Sequence, residues 1–203
     1  NAGTGGAVLI WGPMSENATF PTSYIPTTGS TVTRAADIAQ ITGDNFSSWY
    51  QPLENTMFAK FSTFDTGTNS KAALVTFDST KAPSINTTVN GGRAFYYVGD
   101  TNYIQVTTRT PQKVRRFFAN DPGYNPLGQF NSIAQGYAGT DSGCAVNGSA
   151  PGYTNSASLN PGTVDSMWIG RNENVSMWLN GHISRLACYS RRLTNSELET
   201  LTL

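Results

Sequence analysis

Charge is scarce in this 203-residue chain. Asp, Glu, Lys and Arg make up 13% of it, thirteen of each sign, so the formal net charge is zero. That is about half the usual charged share, and it excludes an electrostatic nucleic-acid binder, an acidic tail or a polybasic membrane anchor. Cysteine is scarcer still: Cys144 and Cys188 are too few for a disulfide scaffold or a thiolate zinc site. Both lie in strand-like stretches and read as free thiols, although a single bridge is compatible with the sequence. Histidine occurs once, as His182, and no Gly-x-Ser-x-Gly elbow is present, so a nucleophilic triad would have to rest on that one residue. His182 follows a turn and reads as structural. Long apolar runs are missing as well: the longest, Ala7 to Trp11, falls far short of the roughly 20 residues a spanning helix needs, so membrane insertion is not expected.

Motifs for bound groups are absent too. No EF-hand loop occurs, and Gly3, Gly5 and Gly6 precede a strand rather than a helix, so they make no phosphate loop. No cofactor and no metal is expected; Asp100 with Asn102, and Asp165 with Asn172 and Asn174, read as turn residues that bond their own backbone. Glycoside hydrolysis needs two carboxyl groups about 5 to 9.5 Å apart. The only close acidic pair, Glu197 and Glu199, sits on a terminal helix, which leaves Asp78, Asp100 and Asp165 as distant acids that folding would have to bring together.

What the chain does have is a side-chain period of two. Thr56 to Phe64 sets Met57, Ala59, Phe61 and Thr63 on one face, and similar runs occur at 72–77, 84–89, 94–98, 103–107, 114–119, 130–137, 144–146, 166–170 and 182–189. Asn90-Gly91-Gly92, Asn147-Gly148 and Asn180-Gly181 supply turn chemistry between them. Short strands at this spacing predict an all-β fold, a two-sheet antiparallel jelly-roll sandwich. One helix is expected, at the C-terminus, where Thr194 and Glu197 form a capping box ahead of Leu198 and Leu201. Residues 1–30 carry a short apolar strand, Ala7 to Trp11, then Pro13, Pro21 and Pro26, and read as an extended arm from a preceding domain; residues 31–203 read as the main domain. Aromatic residues are numerous, Trp49, Tyr50, Trp168 and Trp178 among them. Those inside strands, such as Trp168, read as core, whereas Tyr124 and Tyr153 fall in polar Gly/Pro-rich loops. Those two tyrosines, with Asp100 and Asn102, are the candidate ligand-binding residues.

Three stretches resemble a known family. Phe20-Pro-Thr-Ser-Tyr-Ile-Pro-Thr27, Val32-Thr-Arg-Ala-Ala-Asp37 and Phe46-Ser-Ser-Trp-Tyr50 look like the lead-in of a laminin-G-like, concanavalin A-type jelly-roll domain common in tailed-phage virion proteins. Further along, Ala145-Val-Asn-Gly148, Val164-Asp-Ser-Met-Trp-Ile-Gly170, Leu179-Asn-Gly-His-Ile183 and Arg191-Arg-Leu-Thr-Asn-Ser-Glu-Leu198 follow in the order of that family. The resemblance covers residues 8–203, with 65–128 matching only as generic strands. It implies a non-enzymatic virion protein of a bacteriophage tail fibre, tail tip or capsid appendage, presenting a jelly roll for attachment to a host-surface glycan. Its implied partners are copies of itself, a trimer among the options, and other virion proteins. It also implies that Trp11-Gly12 ends a preceding sandwich domain. The alternatives are an architectural capsid-decoration or cement protein, and a polysaccharide depolymerase.

Overall fold

The period-two segments build two antiparallel sheets. The computed structural model of the chain describes residues 7–17, 23–33, 38–64, 71–78, 92–98, 103–110, 113–119, 128–149, 164–171 and 178–203. These fall into two units, Asn1–Asp37 and Ile38–Leu203.

In the first unit the expected strand at Ala7 to Trp11 does not form. Among the described residues nothing pairs with it, and Val8, Leu9, Ile10 and Trp11 are all exposed. An apolar run becomes a strand only when a neighbouring edge takes up its backbone hydrogen bonds, and its composition alone cannot provide that. The Trp11 ring instead lies 5.4 Å from that of Tyr24. The Arg34 to Asp37 part of the lead-in motif is outside the described residues.

The second unit holds, in chain order, β1 (Ala39–Thr42), α1 (Asp44–Ser47), β2 (Glu54–Thr63), β3 (Lys71–Asp78), β4 (Gly92–Val98), β5 (Tyr103–Thr110), β6 (Lys113–Ala119), β7 (Asn131–Ala138), β8 (Asp141–Val146), β9 (Ser166–Ile169), β10 (Gly181–Tyr189) and α2 (Asn195–Thr202). One sheet runs β1-β9-β3-β4-β5-β6 and the other β10-β2-β7-β8. This is the two-sheet antiparallel jelly-roll sandwich that the alternation predicts, with the C-terminal helix in place. The one-turn helix α1 and the short strand β1 carry no sequence signal of comparable strength, and the expected strand at 84–89 is outside the described residues.

Alternation decides what is inside. From the second sheet Met57, Ala59, Phe61, Ile133, Cys144 and Val146 point inward, and they meet Leu74, Val75, Phe77 and Met167 of the first sheet. Burial of a Leu- or Phe-sized side chain contributes about 1.5 to 3 kcal/mol, so this layer dominates the stability of the unit. Cys188, Met57, Gln135 and Cys144 are successive cross-strand partners in β10, β2, β7 and β8. Three strand spacings separate the two cysteines, about 14 Å, twice the reach of a disulfide. Neither is in a disulfide, and the Cys188 thiol faces the Met57 sulfur at 3.1 Å.

The outer face of the four-stranded sheet is built for α2. The cross-strand row Ala187, Phe58, Ala134, Ala145 and the next row Tyr189, Thr56, Gly136, Gly143 present small side chains on β7 and β8. Leu193 and Leu198 fill the space above Phe58, Ala134 and Ala145 and form a second apolar cluster. Thr56 locks the approach to the helix: its buried hydroxyl donates to the Arg191 carbonyl at 2.9 Å and accepts from the Leu193 amide at 2.8 Å. Arg192 lies along the glycine trench with its side chain 8% exposed, reaching Asp141 Oδ1 at 3.1 Å and Asn195 Oδ1 at 2.6 Å. The arginine pair therefore anchors the terminal helix to the sandwich. Past β8, Asn147 (φ 48°) and Gly148 (φ 74°) make the expected tight turn, closed by the Ser149 amide on the Val146 carbonyl.

The cap of α2 is sensitive to pH. Glu197 accepts from both terminal nitrogens of Arg191, at 2.7 and 3.1 Å, and from the Thr194 amide and hydroxyl, at 2.7 and 2.9 Å. These bonds, Arg191 first, lower its pKa from 4.5 to about 2. A carboxylate held below its unfolded value stabilises the fold at neutral pH, and that contribution is lost as pH falls through the window between those two values. Thermal melts from pH 6 to pH 2 should therefore show a steeper decline for the parent chain than for Glu197→Gln between about pH 4.5 and 2, and less difference at high salt, because the pair is exposed. Parallel curves would show that the cap is not stabilising.

Candidate functional site

Where β1 turns into α1, the chain makes a corner that α1 cannot cap by itself. Gly43 takes φ 60°, and the Phe46 and Ser47 amides bond its carbonyl at 3.0 and 2.9 Å. The single turn throws Phe46 inward and Tyr50 after it. The Phe46 and Tyr50 rings stack with centroids 4.6 Å apart, and Tyr50 stacks in turn on Phe77 of β3 at 5.6 Å. Trp49 meets Phe46 edge-on at 5.2 Å and donates its indole N–H to the Asn45 carbonyl at 2.8 Å. Such stacks add about 0.5 to 1.5 kcal/mol per pair beyond burial and fix the corner as a rigid wall.

That wall borders an open cleft of about 780 Å³, lined by Phe46 and Tyr50 on the apolar side and by Gln40, Thr42, Asp44, Ser47 and Asp165 among the polar groups. The size and the mixture of an aromatic wall with a few convergent hydroxyl, amide and carboxylate groups suit a small polar ligand. Asp165 comes from the residue just before β9, and β9 pairs with β1 through Gln40↔Trp168 and Thr42↔Ser166. Two remote segments thus supply the two sides of the cleft.

A second feature adjoins it. In β9 Met167 is buried and Ile169 packs on the core, so Trp168 lies on the opposite face, where Ser166 is itself fully covered. Gly170, at φ 71°, bends the chain, and Arg171 forms an isolated antiparallel bridge with Trp178. The Arg171 guanidinium carbon lies 4.6 Å from the Trp168 ring centre and 5.1 Å from that of Trp178, a cation held between two indoles.

Set against the sequence reading, the four candidate ligand residues Tyr124, Tyr153, Asp100 and Asn102 all lie outside the described residues. Of the distant acids, Asp165 lines the cleft and Asp78 is the backbone partner of Ser166, while Asp100 is outside the described residues. Among the described residues no group of three His, Cys, Asp or Glu side chains is placed to hold a metal ion. His182 is exposed, 5.7 Å edge-on from Phe64, and takes no part in the cleft. Trp168, read as core, is half-buried on the outward face instead. The signal for that was present in Ser-Met-Trp-Ile, where period two cannot bury both Met167 and Trp168. Gln40, Thr42, Asp44 and Ser47 carried no comparable signal, because each lies more than a hundred residues from Asp165, with which they converge.

No protein-family model and no curated protein matches the chain. Solved structures do. The CBM40 of Ruminococcus gnavus IT-sialidase, bound to α2,3-sialyllactose, superposes with a TM-score of 0.62 at 14% identity, over 82% of this chain and 96% of that one. The leech intramolecular trans-sialidase gives 0.59 at 16% identity over 84% of this chain, but only 26% of the enzyme. A SAP-like pentraxin from Limulus polyphemus gives 0.51 at 14% identity, over 73% and 69% of the two chains. At such identities the likeness concerns backbone architecture alone, that of a two-sheet jelly-roll sandwich.

Proposed function

We propose that this chain is a non-catalytic carbohydrate-binding module whose ligand is a cell-surface glycan held in the β1–α1–β9 cleft. The observation that carries this reading is the cleft itself, hydroxyl, amide and carboxylate groups converging over a floor of packed aromatic rings on a rigid sandwich. Small sugars are held in such hollows mainly through their hydroxyls, which Gln, Thr, Ser and Asp side chains share; Phe46 and Tyr50, almost wholly buried, shape the floor rather than offer a stacking face. The jelly roll of the Ruminococcus gnavus CBM40, solved with α2,3- and with α2,6-sialyllactose, supports the class of ligand. Asp44 and Asp165 act here as hydroxyl acceptors, not as an acid–base pair. We further propose, on the lead-in motif at residues 20–50, that the module is displayed on a bacteriophage virion as part of a tail fibre or surface appendage.

A glycan array probed with the full chain, followed by calorimetry, tests the module. Binding with Kd between about 1 μM and 1 mM is expected, a free energy of roughly −8 to −4 kcal/mol. Asp165→Asn should weaken it, and no new reducing ends should appear on prolonged incubation with the bound glycan. A chain that retains no glycan at millimolar concentration overturns the reading. One observation favours a second, architectural role: the exposed apolar run Val8 to Trp11, which suits burial against a neighbouring chain.

A further inference from the structure

The Trp168, Arg171 and Trp178 cluster is not needed to hold the two sheets together. Trp168 points away from the core, and Trp178 lies beyond β9, on a bridge that closes back on Arg171. Yet the cluster is firmly built. Gly170 donates to the Leu74 carbonyl at 2.9 Å and accepts from the Leu179 amide at 2.8 Å, which ties Gly170 to β3 and Leu179 to Gly170. Between them the Arg171 guanidinium occupies the space separating two indoles, leaving Arg171 only 7% exposed while Trp178 remains 39% exposed. A large aromatic side chain left open to water on a rigid, pinned base is a platform.

We infer that Trp178, buttressed by Arg171 and Trp168, is a stacking subsite for a neutral hexopyranose ring. An indole face carries negative quadrupolar charge and attracts the weakly positive C–H edge that one side of a hexopyranose offers. The occupant is neutral, because Arg171 is almost wholly covered and flanked by indoles, and so is poorly placed to meet a carboxylate. Gln40 is the direct cross-strand partner of Trp168 and also lines the cleft. Neighbouring side chains at such a pair are about 5 Å apart at Cβ. Gln40 therefore brings Trp168, the inner support of the platform, to the edge of the cleft. This subsite rests on the glycan-binding reading above and extends it to a second ring.

The test uses the full chain titrated with lactose, maltose and cellobiose at millimolar concentrations, followed by tryptophan emission and calorimetry, alongside the glycan array. At least one neutral disaccharide should shift the emission. Trp178→Ala should weaken its binding about tenfold, equivalent to about 1.4 kcal/mol, and Trp178→Phe should keep most of the affinity while losing most of the spectral change. Arg171 acts as a positioning residue: Arg171→Met should lose about fivefold in affinity, and Arg171→Lys, which keeps a cation between the rings, should recover most of it. Melting midpoints are measured for every variant, so that a loss of binding that only tracks unfolding counts against the subsite. An unaltered affinity in folded Trp178→Ala overturns the inference, as does failure of all three disaccharides to bind when the array finds a charged glycan. In that last case the carbohydrate-binding reading survives; an empty array removes both.

Discussion

Replacing Phe77 by alanine should destabilise the chain by about 3 to 5 kcal/mol and abolish ligand binding in the cleft at the same time. The first effect follows from burial. Phe77 is completely enclosed between the sheets, and removal of a buried phenylalanine ring costs its transfer free energy plus that of the cavity left behind. The second follows from position, because the Tyr50 ring rests on Phe77 and Phe46 stands 6.2 Å away, so the aromatic wall of the cleft has its footing in the core. Denaturant unfolding measures the first effect. Calorimetry on the folded fraction at low temperature measures the second. Phe77→Leu, which refills most of the volume without a flat ring, should recover more of the stability than of the binding. Equal recovery of both would mean that the stacked geometry is irrelevant to the site.

Gly136→Val should cost about 3 kcal/mol or more and detach the C-terminal helix. A Cβ at this position would stand 2.7 Å from Thr56 Oγ1 and 3.4 Å from Arg192 Cγ, so even the first added carbon intrudes on the junction. Thr56 has no room to yield, since its hydroxyl is bonded on one side to the Arg191 carbonyl and on the other to the Leu193 amide. Overpacking typically costs 1 to 3 kcal/mol, and each buried group left without its partner adds about 1 to 3 more. The coupling is testable by a double-mutant cycle: Gly136→Ala should be less harmful in a Thr56→Ala background than in the parent, with an interaction energy of about 1 kcal/mol. Additive effects would show that the glycine serves some purpose other than making room. Hydrogen exchange at the α2 amides should quicken in the valine variant while the amides of β3 and β9 stay protected.

These two sites also show where local pattern stops being informative. The period of two sufficed to place β2, β3, β7 and β10 and to separate the two faces of β2, but not to show that β2 and β7 are buried on both sides. The capping box at Thr194 and Glu197 sufficed to start α2. Nothing in that pattern distinguishes Gly136 in the middle of β7 from a weak point in a strand, and only Thr56 beside it and Arg192 above it, both remote in sequence, explain it. The same holds for Ala7 to Trp11, where strand-like composition met no partner edge among the described residues, and for Trp168, where a large apolar residue looked like core until β9 was paired with β1.

The sequence by itself determined that this is an all-β sandwich closed by one capped helix, with no local motif for metal, phosphate or nucleophilic chemistry. Alternation, turn residues and caps are written in neighbouring positions, and local physics reads them directly. Tertiary structure alone decided that Gln40, Thr42, Asp44 and Ser47 share a cleft with Asp165, that a guanidinium sits between Trp168 and Trp178, and that Cys144 and Cys188 are three strands apart. Each of those facts depends on which strand lies beside which. In an antiparallel sandwich that order is set by the summed burial of the whole core and by long-range pairing, which no short stretch of the chain encodes.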